Sequence, residues 1–409
     1  MNLIVSIICM LIVLAATDFL RPGHKRLHNQ IYELAFFLTW FLFSIKYYYG
    51  GDIAFYVPYY EDLPTINELF NASHSKFSYE IGFNAFCIIL KSLHISYWGV
   101  TAIVTAIYFY TIHKLFSYIP AFRTLALCLL VCLEFNLIFA THRQCLAVSF
   151  FILMYFSFYK KQPIRCFLYM ILTCTMHKSG MFFGLTSYVL LQIKNLEIKR
   201  SSYYVLTILM LVIMMLPIQK LTLSFAKTFA FNPSILASLE YHLTFIQRFQ
   251  PVLILYLILF WGLATIKNKS EFFNRMNLLI FLFMTVIAIT YQFYPLTWRI
   301  RSYFVPFLIT YLFTSVWQAT EQDDNNVESS PFLKRNIKII TPILPCLIML
   351  FCIYTMISCY RNQNLLKSRI YDTCTIFELY HTSKEEIIER QMGKARYYWI
   401  YEAVIENND

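Results

Sequence analysis

Apolar runs separated by short polar breaks follow one another along the chain, at residues 2–20, 31–48, 96–117, 122–141, 144–159, 202–219, 251–266, 276–294, 303–318 and 339–359. Each approaches the roughly 20 residues with which a helix crosses a hydrocarbon core about 30 Å thick. The pattern therefore predicts an integral membrane domain over 1–360, followed by a polar tail at 361–409 that could lie at the interface as an amphipathic helix. The first run has no positive flank before it and no small-residue cleavage site, so it reads as a retained span rather than a secretory signal. One interval breaks the rhythm. Residues 165–193 are long enough for a single ordinary span, yet a Gly and two polar side chains interrupt them in "MHKSG" (176–180).

Charge turns these runs into a topology. Basic residues cluster at 21–26, 114 with 123, 160–165, 194–200, 267–275 and 334–338, and the positive-inside rule places all six clusters in the cytoplasm. Two of them flank 165–193, so that interval has to double back. We read it as two short helices with His177 and Lys178 at the apex, against the plainer reading of one long tilted helix. The count becomes about twelve crossings in an all-α polytopic protein, with external segments at 49–95 and 220–250 and both termini outside.

Composition agrees and excludes other classes. Of 409 residues, 58% are hydrophobic and 14% charged, and the mean hydropathy is +0.54, beyond the needs of a soluble core. The net charge of +11 is scattered between apolar runs, which speaks for membrane orientation and against nucleic acid as a partner. Most of the 11 cysteines lie inside apolar runs and none forms a C-x-x-C pair, the pattern of buried, inert thiols. No D-x-D pair occurs in an external segment, so neither a metal site nor any other cofactor is expected.

This topology puts Asp52, Glu80, Arg143, His177, Lys178, Arg299 and Arg301 on the external side, each near the end of an apolar run, with the two last arginines in a turn at 294–302. Basic side chains gathered at one face suit a polyanion, and the planar fork of arginine suits phosphate oxygens. Each residue also has a plainer role. The arginines could be interfacial anchors, His177 a packing residue, and Asp52 the cap of a helix starting at Ile53.

Several short motifs occur in a telling order: Gly50-x-Asp52-x-x-x-Tyr56, Glu80-Ile-Gly82-Phe83, "HRQCLA" (142–147), "HKSG" (177–180) and "RIRSYF" (299–304). Together they resemble the motifs of the EpsG/Wzy-type polysaccharide polymerases. The resemblance implies a plan similar to the large GT-C-like transferases that use lipid-linked donors, set in the bacterial cytoplasmic membrane with the site on the external face. It also implies donor and acceptor oligosaccharides on undecaprenyl diphosphate, a chain-length regulator as a possible partner, and a capsule, O-antigen or exopolysaccharide as product. Carried onto this chain, it makes Asp52, Arg143 and His177 the catalytic candidates. Tyr56, Glu80, Gln144, Lys178, Arg299, Arg301 and Tyr303 become candidates for binding diphosphate or sugar. The competing readings are an O-antigen ligase-like transferase with another acceptor, a flippase or exporter of lipid-linked oligosaccharide, and a membrane acyltransferase with His177 in the membrane.

Overall fold

The computed structural model describes residues 3–20, 24–46, 53–71, 79–193, 271–290, 294–321 and 331–361, with isolated positions in 201–228 and 377–389. Its elements are helical: α1 (Leu3–Leu20), α2 (Lys25–Ser44), α3 (Ile53–Asp62), a 3-10 turn (Ile66–Asn71), α4 (Ile81–Ser92), α5 (Tyr97–Phe116), α6 (Arg123–Ala140), α7 (His142–Tyr159), α8 (Pro163–Met176), α9 (Lys178–Gln192), α10 (Glu271–Thr290), α11 (Tyr294–Glu321) and α12 (Pro331–Arg361). Among the described residues, two segments, Tyr97–Phe116 and Ile343–Tyr360, are long and apolar enough to cross a membrane by length and composition. Asp52 and the glycines before it, the run at 251–266, and most of 202–250 and of the tail fall outside the described residues.

The outward faces are apolar. Ile164, Phe167, Leu168 and Ile171 on α8, and Leu347, Leu350 and Tyr354 on α12, are exposed at helical spacing, Ile164 at 76%. Such rows would be costly in water and are solvated by lipid, so the packing repeats what hydropathy indicates.

The chain divides into two compact units, one of Met1–Leu185 with Ile343–Asp409 and one of Thr186–Pro342. At the centre of the first lies α7, buried along nearly its whole length and packed on α5, α6 and α8. Outside it, α6 packs on α1 and α2, and α4 on α8. In the second unit α10 packs on α11, with the Phe283 and Phe304 rings stacked at 4.5 Å.

The interval expected to double back does so. His177 is extended (φ −156°, ψ 142°) between α8 and α9. Beyond it the chain returns so closely that a Cβ on Gly184 would lie 3.0 Å from Thr173 Cγ2 and 3.2 Å from Cys174 Sγ. Fourteen or fifteen residues per helix rise only about 21 to 23 Å, short of a full bilayer core.

Two expected turns prove to be helical. Of "THRQ", only Thr141 is non-helical (φ −109°, ψ 68°), and His142–Gln144 open α7. The stretch 294–302 is the beginning of α11. Arg299 and Arg301 are therefore two positions apart on a helix, about 200° around its axis, and cannot both face one ligand from there. An apolar helix tolerates arginines in its first turns, where they reach the interface, so their presence did not mark a break.

A lysine that the hydropathy pattern absorbed into a span holds the α6–α7 junction. Lys46 is fully buried and donates from Nζ to the carbonyls of Ile138 (2.5 Å) and Phe139 (2.8 Å). The break at Thr141 leaves the last carbonyls of α6 without intrahelical donors, and the ammonium supplies them. Lys46→Met should lower stability by about 2 kcal/mol or more, since each buried carbonyl left without a donor costs roughly 1–3 kcal/mol. Unfolding of the detergent-solubilised protein, followed by circular dichroism, measures it.

Candidate functional site

Three helix starts of the first unit meet at Arg143, which lies in the first turn of α7. Its guanidinium donates from Nη1 to Glu80 Oε2 at 2.6 Å and from Nε to the Tyr56 hydroxyl at 3.0 Å. Its face covers the Tyr79 ring at 4.2 Å from the centroid. Glu80 is the N-cap of α4, with extended backbone (φ −65°, ψ 145°), and its other oxygen, Oε1, accepts the backbone N–H of Lys178 at 3.1 Å. Lys178 is the first residue of α9. One carboxylate thus ties together the beginnings of α4, α7 and α9.

Gly82 makes this junction possible. A Cβ there would lie 2.5 Å from Thr175 Oγ1 and 2.9 Å from the Thr175 carbonyl carbon, a distance no side chain tolerates against backbone. Only glycine lets α4 press onto the end of α8 and bring Glu80 over the break at His177.

An aromatic wall supports the pair. Tyr56 is buried on α3 and stacks on the His142 ring at 5.9 Å and 17°, while His142 Nδ1 pairs with the Tyr97 hydroxyl at 2.8 Å. Tyr59 donates to Asn84 Oδ1 at 2.5 Å, Asn84 donates to the Tyr79 carbonyl at 2.9 Å, and Tyr60 donates to the Ile95 carbonyl at 2.6 Å. These bonds hold α3 against α4 and α5 and fix the rings that Arg143 leans on.

His177 is held by its neighbour Ser179. Its Nδ1 accepts the backbone N–H of Ser179 at 3.2 Å and lies 2.6 Å from Ser179 Oγ. A backbone N–H can only donate, so Nδ1 is an acceptor and the neutral ring carries its proton on Nε2. That arrangement suits the sugar-orienting role among the two the sequence suggested.

The electrostatics follow from the pairing. Burial by itself would raise the Glu80 carboxyl, but the charge and hydrogen bond of Arg143, a backbone hydrogen bond and the field of His177 together hold Glu80 below the usual carboxylate range. A carboxyl depressed on folding adds stability that is complete above its unfolded pKa and lost as pH falls through its folded one. Wild type should therefore melt above Glu80→Gln at neutral pH. The gap in melting temperature should close on acidification, as thermal scans of both proteins across pH would register.

Of the residues singled out from sequence, Tyr56, Glu80, Arg143, His177 and Lys178 come together here, the Lys178 contact being through its backbone. Gln144 is buried in the first turn of α7. Asp52 precedes the start of α3 at Ile53 and lies outside the described residues. Arg299 is exposed, Arg301 half-buried and Tyr303 buried, all on α11 of the second unit. Tyr79 and Tyr97 escaped the sequence reading because aromatic residues are so common in this chain that none stands out, and His142 was marked only as part of "HRQCLA". Lys46 carried a usable signal, as a charge inside an apolar run. The thiols of Cys128, Cys132 and Cys352 prove to be neighbours, buried with their sulfur atoms within 4.8 Å of one another.

Comparison with known proteins agrees with the motif order. The family model for the EpsG family matches residues 30–372. No curated protein and no solved structure matches the chain.

Proposed function

The chain belongs to the EpsG family, and from that premise we propose that it is a multi-pass polymerase of lipid-linked oligosaccharide repeat units. The growing chain leaves undecaprenyl diphosphate and joins the next lipid-linked unit, at the external face of the cytoplasmic membrane. The observation that supports this best is the convergence of three helix starts on Arg143. Helix N-termini carry partial positive charge and unpaired N–H groups, and with a guanidinium among them they suit the phosphate oxygens of such a donor.

Mechanism follows from where charge develops. An acceptor hydroxyl attacks the anomeric carbon of the donor, the bond from that carbon to the diphosphate oxygen breaks, and the diphosphate leaves with the electron pair. Arg143 and the N-terminus of α9 stabilise the charge growing on that oxygen. Asp52 takes the hydroxyl proton, as the acidic group of the motif that leads into α3. The Nε2–H of His177 orients a sugar or phosphate oxygen, and Tyr56 and Tyr79 keep the guanidinium in plane.

Chain-length analysis of surface polysaccharide in a deletion strain tests the assignment. A polymerase predicts loss of polymer while single repeat units still reach the surface. Long chains stranded on the carrier lipid would instead mean a ligase, and units trapped inside a flippase.

A further inference from the structure

The carboxylate of Glu80 sits where an anionic ligand of Arg143 would sit. Its two oxygens take two donors of different origin, the Nη1–H of Arg143 at 2.6 Å and the Lys178 N–H at the start of α9 at 3.1 Å. Carboxylate and phosphate both present a pair of acceptor oxygens to such a fork, which is why arginine recognises either. The two side chains are 21% and 11% exposed, so the pair is sheltered but reachable. With Glu80 in place the positive charge of Arg143 is balanced, and a diphosphate arriving beside it would meet a like charge held by a strong hydrogen bond.

We propose that Glu80 is a built-in placeholder for the phosphate group of the lipid-linked donor, and that the donor binds by displacing it from Arg143 and from the N-terminus of α9. The inference rests on the diphosphate reading of the site and adds to it a ligand exchange. The exchange makes Glu80 a positioning residue: it keeps Arg143 and the α8–α9 break aligned while the site is empty, then yields both donors. Its place at the N-cap of α4 suits that role. The backbone of Glu80 starts the helix and stays with it, held by the Asn84 N–H donating to the Glu80 carbonyl at 3.0 Å. The side chain can turn away without disturbing α4. A further consequence is selectivity. A neutral headgroup cannot supply the charge that Arg143 loses when Glu80 leaves, so only an anion of comparable strength can open the pair.

The experiment is binding of radiolabelled undecaprenyl diphosphate to the full-length protein in lipid nanodiscs, comparing wild type, Glu80→Gln, Glu80→Asp and Arg143→Ala. Displacement predicts that Glu80→Gln binds about tenfold more tightly than wild type, the size of effect expected when one competing charge-assisted hydrogen bond is removed. Glu80→Asp, too short to span both donors, should also bind more tightly, and Arg143→Ala should lose binding. If Arg143→Ala loses binding while the Glu80 variants bind as wild type or more weakly, the placeholder is wrong and the diphosphate reading stands. If Arg143→Ala binds as wild type, the diphosphate reading itself fails. Should neither Glu80 variant fold while Arg143→Ala does, Glu80 is a structural clasp and the proposal is overturned.

Discussion

Arg143→Ala should abolish chain extension in an in vitro polymerisation with synthetic lipid-linked repeat units. The expected loss is about 10²–10³-fold in turnover, the range seen when one fixed donor to a developing negative charge is removed. The size follows from the setting. Arg143 is positioned by the Tyr56 hydroxyl and two aromatic rings, contacts that remain once Glu80 has yielded, so its contribution needs no reorganisation at the moment of reaction. Arg143→Lys should recover only part of the activity, because an ammonium keeps the charge but cannot bond Tyr56 and an oxygen ligand through one rigid plane. Both variants must first run as monodisperse, helical proteins. Ordinary chain lengths from Arg143→Ala in that state would remove this residue from the chemistry.

Gly82→Val should be nearly as damaging, although Gly82 bonds to no substrate in the proposed mechanism. Even a single Cβ at this position would meet Thr175 Oγ1 at 2.5 Å and Thr175 backbone at 2.9 Å. The hydroxyl can rotate away but the backbone cannot, so α4 must move off α8. Overpacking of this kind typically costs about 1–3 kcal/mol. The displacement also shifts the end of α8, and with it the break at His177 and the start of α9, relative to Arg143, and a shift of about 1 Å at a positioned group can cost on the order of 10²-fold in rate. Thermal unfolding and polymerisation of the same preparation separate the two effects. A variant as stable and as active as wild type would show that the approach of α4 to α8 is not needed.

Both predictions concern residues already conspicuous in the sequence, yet for different reasons. Arg143 was a cation at the end of an apolar run and Gly82 part of a short motif, which marked them without saying what they touch. The partner of Arg143 was not legible. Glu80 lies 63 positions before Arg143 and 98 before Lys178, and no local pattern couples such distances. The doubling back at His177 was legible, because positive clusters on both sides of one apolar run, with a polar break between them, favour a chain that returns over one that crosses. The start of α11 was not, because hydropathy weighs the two arginines of "RIRSYF" against a span, whereas a helix end near the interface accommodates them.

Hydropathy and charge alone determined that this chain is helical, built for lipid and marked by cations at the ends of its helices, because apolar run length and basic clusters answer to the bilayer and not to any particular neighbour. The motif order was sufficient to indicate the family. Only the tertiary structure decided that Arg143 is met by Glu80, that α4 can reach the broken helix because Gly82 has no side chain, and that Lys46 closes the end of α6. Each of these is a contact between helices far apart in sequence, set by packing distances and hydrogen-bond geometry that exist only once the helices have assembled.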